Sequence, residues 1–181
     1  TWDEAFSKIN KALDGKKIAA IAGELVSVEA MYALKKMVKD LGGIVECRVD
    51  DAKLPIDNRA AYVGTAKITD IDDAETIYLI GTNPRSEAPV LNARIRKAYM
   101  NGANIKLIGE PIDLTYSYDH IGNDRKSLDL LLADEISNSL SEKKSIIVLG
   151  QGALCEADGE AVLASVQNLA KKTNSKLLIL H

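Results

Sequence analysis

Short apolar runs alternate with amphipathic stretches along this chain, and that alternation restricts the fold more than any other feature. The runs are Lys17-Ile-Ala-Ala-Ile-Ala22, Ile44-Val-Glu-Cys-Arg48, Thr76-Ile-Tyr-Leu-Ile80, Ile105-Lys-Leu-Ile108, Ser145-Ile-Ile-Val-Leu149 and a terminal run at 176–180. Each has the length and continuity of a strand covered on both faces. Helical spacing fills the intervals. Trp2, Phe6, Ile9 and Leu13 mark one helix, opened by a capping box from Thr1 and Glu4. Ser27 caps a second, with Val28, Met31, Leu34, Val38 and Leu41 on its core face and Gly42-Gly43 at its end. Pro89 suits a first helical turn, followed by Val90, Leu91, Ala93, Ile95, Ala98 and Tyr99 and stopped by Asn101-Gly102. Leu128, Leu131, Leu132, Ile136 and Leu140 mark another helix, and Ala161, Val162, Val166, Leu169 and Ala170 the last. Parallel neighbours need long crossovers, which these helices supply. The expected fold is α/β: a Rossmann-like, mostly parallel sheet with helices on both faces. Residues 49–64 read as loop, 81–87 as a turn-forming linker, and 114–120 as a tyrosine-rich loop.

Composition removes several classes of function. The net charge is −3, which gives no electrostatic reason to bind nucleic acid. No apolar run approaches the roughly 20 residues of a membrane span, so direct membrane insertion is not expected. The acidic start, Thr1-Trp-Asp-Glu4, is not a signal peptide. Cys47 and Cys155 lie far apart and read as two thiols in a reducing compartment. The chain opens without Met and closes on a strand-like run, so it reads as an excised piece of something longer.

Ligands of open parallel sheets sit beyond the carboxyl ends of strands, which glycines mark here at Gly23, Gly81, Gly109 and Gly150. Gly150-Gln-Gly152 begins a G-x-G-x-x-G pattern, but Cys155 stands at the third glycine. A tight strand-to-helix turn accounts for it as well. Glu24 argues against a phosphate at Gly23. Gly81, Thr82, Asn83 and Pro84, with Arg85 behind them, are more suggestive. Either Arg85 meets a phosphate, or Asn83 caps the turn and Arg85 pairs with Glu87. No metal site is legible: there is no C-x-x-C, and His120 and His181 are isolated. Cys47 reads as a buried small hydrophobe. No serine or cysteine has a readable base, so no catalytic residue is assigned. Asp50-Asp51 and Asp72-Asp73 read as solvated loop charge, Lys35-Lys36 and Lys171-Lys172 as exposed helix faces. Tyr116 and Tyr118 suit an interface patch or loop packing equally.

Two runs carry a resemblance. Ile80-Gly-Thr-Asn-Pro-Arg-Ser-Glu-Ala-Pro-Val-Leu-Asn-Ala-Arg-Ile-Arg96 resembles the G-[ST]-N-P…P-V-L…R-I-R segment of the molybdopterin oxidoreductase superfamily. With Leu107-Ile-Gly-Glu-Pro-Ile-Asp-Leu-Thr-Tyr116 it resembles one branch, the large iron–sulfur (75 kDa or G-type) subunits of respiratory complex I, the NADH:quinone oxidoreductase. Ile21–Met31 and Val148–Gly159 are similar to the same branch, so the match runs along essentially the whole chain.

The resemblance implies the C-terminal, molybdopterin-enzyme-like region of such a subunit. Iron–sulfur clusters would belong to an N-terminal region whose cysteine motifs are absent here, leaving this fragment without a cofactor. It implies a structural part of an assembly that passes electrons from NADH to quinone. Its partners would be that cluster region and other subunits of the peripheral arm. Its place would be the cytoplasmic face of a bacterial inner membrane or the mitochondrial matrix side. The superfamily further implies two lobes, one of 71–130 and one of 1–70 plus 131–181. In molybdopterin enzymes the G-[ST]-N-P loop and a later I-D-P-R loop contact the guanine dinucleotide end of the cofactor. Gly81, Thr82, Asn83 and Pro84 match the first as relic candidates. The second reads Gly109-Glu110-Pro111-Ile112, with Glu for Asp and Ile112 where an Arg would meet a phosphate. The rivals are a molybdopterin guanine dinucleotide-binding oxidoreductase fragment and a plain nucleotide-binding Rossmann module.

Overall fold

In a computed structural model the chain divides into two compact units, Thr1–Asp50 and Asp51–His181. The structure describes residues 1–23, 25–47, 52–55, 57–137 and 144–180, and only the backbone of 47, 60 and 134–137. Glu24, Arg48, Asp50, Asp51, Leu140 and His181, and the side chains of Cys47 and Ile136, lie outside the described residues.

The first unit is one β-α-β crossover preceded by a helix. Helix α1 (Trp2–Leu13) starts on the expected capping box: Thr1 Oγ1 accepts the Glu4 N–H, and Glu4 reaches back to the Thr1 amino group. Strands β1 (Ala19–Ala22) and β2 (Ile44–Cys47) pair in parallel, with Ile21 opposite Glu46. Between them runs α2 (Val28–Asp40), capped by Ser27 as its sequence indicates and packed on both strands. Gly43 permits that packing, because a Cβ there would lie 2.7 Å from Val38 Cγ1. The core is thin. Val38 is buried, but Val28 and Leu41 of the expected core face are exposed, and of β1 only Ala22 is buried. The buried strand expected at 17–22 is therefore a largely uncovered one, since α2 covers a single face of a two-stranded ribbon.

The second unit holds a five-stranded sheet in the order β5-β4-β3-β6-β7, every pair parallel. A short helix α3 (Arg59–Val63) and a 3₁₀ turn (Ile68–Asp73) lead into β3 (Thr76–Ile80). One helical turn, α4 (Pro84–Glu87), then α5 (Pro89–Met100), cross to β4 (Asn104–Ile108), with β5 (Asp119–Gly122) beyond it. Helix α6 (Arg125–Ser137) returns the chain to β6 (Ser145–Leu149). The short α7 (Gln151–Leu154) and α8 (Gly159–Lys172) lead to β7 (Lys176–Ile179). The chain starts at the central strand and winds outward first one way, then the other. Right-handed crossovers therefore place α5 and α8 on opposite faces. Burial agrees. Ile77, Leu79, Leu107 and Val148 share a core with Leu91 and Ile95 of α5, while the opposite-facing Tyr78, Ile80, Ile147 and Leu149 are buried as well.

The expected lobes, 71–130 against 1–70 plus 131–181, are not the division found. β3 bonds β4 on one side and β6 on the other, so 76–80 and 145–149 belong to one sheet. Three short elements also depart from expectation. α3 lies in the expected loop 49–64 and α4 in the expected linker. β5 extends the tyrosine-rich loop; it is an edge strand, Asp-His-Ile-Gly, without an apolar run to announce it. The opposite edge is covered. The N–H groups of Thr65 and Ala66 donate to the Leu177 carbonyl at 2.7 and 2.8 Å, and Leu177 N–H donates to Thr65 Oγ1 at 2.9 Å.

Candidate functional site

The central strand β3 and its neighbour β6 lead away in opposite directions, so the crevice beyond their carboxyl ends is the switch point where such sheets bind ligands. A cavity of about 710 Å³ opens there, lined by the turns after β3, β4 and β6 and by the start of α6. It contains Gly81, Thr82 and Asn83, and Gly109, Glu110 and Ile112. The sequence candidates are thus brought together at one place, whereas Gly23 belongs to the first unit.

The turns after β3 and β6 touch directly. Gly81 adopts φ +56°, and a Cβ on it would strike Ala153. A Cβ on Gly150 would lie 2.5 Å from the Gly81 carbonyl oxygen, and one on Gly152 would lie 2.7 Å from the same atom. The G-x-G of residues 150–152 is accounted for by this backbone-to-backbone approach.

The polar groups of the Gly81–Pro84 loop are bonded internally. The buried Thr82 donates its hydroxyl to Glu87 Oε2 at 2.8 Å, and the Asn83 N–H donates to Glu87 Oε1 at 2.7 Å. The Asn83 carbonyl accepts the Ser86 and Glu87 N–H groups, closing the one turn of α4 that Pro84 begins. The sequence account that pairs Arg85 with Glu87 needs correction. Arg85 Nη1 meets Asp113 Oδ2 at 2.5 Å and the Asp113 carbonyl at 3.1 Å, not Glu87, because Glu87 is already held by Thr82 and Asn83. The Asn83 side chain makes no capping bond; the backbone does that work.

Five carboxylates border the cavity (Glu87, Glu110, Asp124, Glu156 and Asp158), against the two cations Arg125 and Lys126. Arg125 lies 4.0 Å from Asp158. Asp124 accepts the Ser127 hydroxyl at 2.8 Å and its N–H at 3.0 Å, and these bonds hold its carboxyl below the usual carboxylate range. The Thr115 N–H, then Arg85, do the same for Asp113. This donor set does not fit the phosphate end of a dinucleotide. The Thr82 hydroxyl and the Asn83 N–H are taken by Glu87, Arg85 is turned to Asp113, and five carboxylates outnumber two cations at the rim. Asn83 Oδ1 is buried without a hydrogen-bond partner among the described residues.

The other sequence candidates fall outside the cavity's chemistry. Tyr116 donates to Asn92 Oδ1 at 2.7 Å and packs on Tyr99, and burial pushes its hydroxyl well above the ordinary phenol range. Tyr118 donates to the Ile112 carbonyl at 2.7 Å. Both are packing residues of their loop. His120 is exposed on β5 with Nε2 2.8 Å from the Gly109 carbonyl, so that nitrogen carries the proton. Asp72 is not solvated loop charge: it is half-buried and paired with Arg94 at 2.6 Å. Lys35, Lys36, Lys171 and Lys172 are exposed, as their spacing indicated. Among the described residues no three His, Cys, Asp or Glu side chains gather as a metal ion would require. The residue that sequence reasoning undervalued is Glu87. Its position four after Asn83 was the available signal.

Known proteins resolve the family. Residues 1–178 match the model of the molybdopterin oxidoreductases. The chain belongs to the molybdopterin oxidoreductase family. Its curated relatives include the mitochondrial NADH-ubiquinone oxidoreductase 78 kDa subunits of Candida albicans, 36% identical over 95% of this chain, and Neurospora crassa, 32% identical over 98%. The G-type NADH-quinone oxidoreductase subunit of Rickettsia bellii is 35% identical over 96%. The chain spans about a quarter of the length of these relatives, 25, 26 and 27% respectively. The fold is shared with a crystal structure of the formyltransferase/hydrolase complex of Methylorubrum extorquens with methylofuran. The TM-score is 0.64 at 16% identity, covering 98% of this chain and 57% of that one. At that identity the likeness concerns the fold alone. For this member of the family, the GTNP run and the G-x-G turn are therefore two halves of one packed junction.

Proposed function

We propose that this chain is a structural region of a large NADH:quinone oxidoreductase subunit, part of a membrane-associated, multi-subunit complex, and that it carries out no chemistry of its own. The observation that carries this reading is its similarity to 78 kDa and G-type subunits along 95–98% of its length. The cavity supports it, because the loop that would meet a pterin dinucleotide is occupied by Glu87. In this reading the region holds no cofactor. Electrons pass through iron–sulfur clusters elsewhere in the same polypeptide, and this region packs against that part and against other peripheral-arm subunits. It works on the matrix or cytoplasmic side of the membrane. No helix among the described residues is long and apolar enough to cross a bilayer.

Elemental analysis of the intact parent polypeptide beside this chain tests the proposal. The expected result is iron in the parent, none in the chain, and molybdenum in neither. Stoichiometric molybdenum in the parent, lost on substitution within Gly81–Pro84, would replace this reading with that of a cofactor-binding oxidoreductase.

A further inference from the structure

The cavity beyond β3 and β6 joins an apolar wall to an acidic mouth. Ile80, Leu107, Ile108, Ile112, Leu128 and Val162 contribute the wall. Its volume of about 710 Å³ is that of a pocket for a drug-sized molecule, far more than a single ion needs. The chain has 26 acidic and 23 basic residues, and setting aside the five carboxylates and two cations of the rim leaves 21 of each. The whole acid excess of the chain is therefore gathered at this one mouth. Two of its carboxylates are uncommitted. Glu156 makes no side-chain hydrogen bond or ion pair among the described residues, and Glu110 has only the Asn123 amide at 3.5 Å. In the wall, Asn83 Oδ1 is buried without a partner among the described residues, and a buried acceptor calls for a donor.

We propose that this cavity receives a basic segment of a neighbouring polypeptide, with Lys or Arg heads at the acidic mouth and their methylene stems against the apolar wall. A cleft lined by one sign of charge focuses its field and draws in the opposite sign. The carboxylates are dispersed, since no three metal-ligating side chains among the described residues gather as an ion would require. Dispersed acid over an apolar wall matches charges carried on separate apolar stems. Lys and Arg heads carry donors and no acceptor, so they suit both the carboxylates and the unpaired Asn83 oxygen. An acidic or phosphorylated segment would be repelled. The inference deepens the proposed function and rests on it, because it names the chemistry of what this region packs against.

Titration calorimetry of the full 181-residue chain with the capped peptide acetyl-Arg-Ala-Arg-Ala-Arg-amide tests it. The comparison ligands are the matching Glu peptide, spermidine and guanosine diphosphate. The basic peptide should bind at low salt and weaken as salt rises, and the Glu peptide should not bind. The double variant E110Q/E156Q should weaken binding roughly five- to thirtyfold. D3N/E29Q removes the same charge from the first unit and should leave binding unchanged. All four side chains are exposed, so folding is not at stake. Absence of binding overturns the inference. So does an equal loss in both double variants, which reduces it to net charge, or tighter binding of spermidine, which makes a free amine the occupant. Those three results leave the structural role standing. Guanosine diphosphate binding more tightly than the basic peptide would overturn both.

Discussion

The two units solve the same packing problem to different degrees. Among the described residues, the first buries Ala22 and Val38, while eleven large apolar side chains, from Trp2 to Ile44, stay exposed. The second buries both faces of its central strands and exposes five: Val63, Ile68, Val90, Met100 and Leu130. The difference follows from strand number. A two-stranded ribbon with one covering helix has no interior layer. A five-stranded sheet has central strands flanked by neighbours and covered by helices on both faces. Residues 51–181 therefore contain their own core, whereas residues 1–50 depend on whatever covers α1 and β1–β2.

Core truncation should separate the units most clearly. Leu79→Ala in β3 removes a fully buried side chain and should cost about 2–5 kcal/mol. Ile44→Ala in β2 should stay within about 0.5 kcal/mol, as at an exposed site. Urea unfolding followed by circular dichroism measures both, and comparable losses would erase the contrast.

Glycine substitutions give the next effect. Gly150→Ala places a Cβ 2.5 Å from the Gly81 carbonyl oxygen and Thr82 Cβ, and should cost about 1–3 kcal/mol as overpacking does. Gly23→Ala meets nothing within 4 Å and should be near neutral. A harmless Gly150→Ala would mean that the turns after β3 and β6 do not press together.

Acid gives the smallest effect, again confined to the second unit. Asp70 is held low by a hydrogen bond from Lys176 and by the Lys67 N–H, Asp113 by the Thr115 N–H and Arg85, and Asp124 by Ser127. A carboxyl with a depressed folded value stabilises fully above its ordinary 3.8 and loses that contribution as pH falls through the folded value. Thermal stability should therefore decline below about pH 4, and less steeply in Asp124→Asn. Identical pH curves for wild type and variant would show that Asp124 contributes nothing.

Much of this was legible in the residues. Local signals survived intact: the Thr1/Glu4 box, Ser27 as a cap, Pro89 at a helix start, and continuous apolar strands at 76–80 and 145–149. Three short elements did not announce themselves. α3, α4 and β5 are too short for a period to show, and tertiary contacts decide them. The division near residue 50 was hidden for a different reason. Strand order is a long-range property, and nothing in Ser145–Leu149 states that its neighbour is Thr76–Ile80. The candidate loop was visible as Gly81–Pro84, but its state was not. Only the fold shows that Glu87 turns back onto Thr82 and Asn83 while Arg85 turns away.

The bonds from Thr65 and Ala66 to Leu177 have a consequence for association. They occupy main-chain groups of β7 that a foreign strand would need, so this margin of the sheet resists templated growth into ordered aggregates. The other margin, β5, is short and carries Asp119 and His120, which discourages strand addition by charge and length. With both margins of the five-stranded sheet guarded, the surfaces this unit offers a neighbour are side chains on helices and loops, where contacts can be exchanged without opening the sheet.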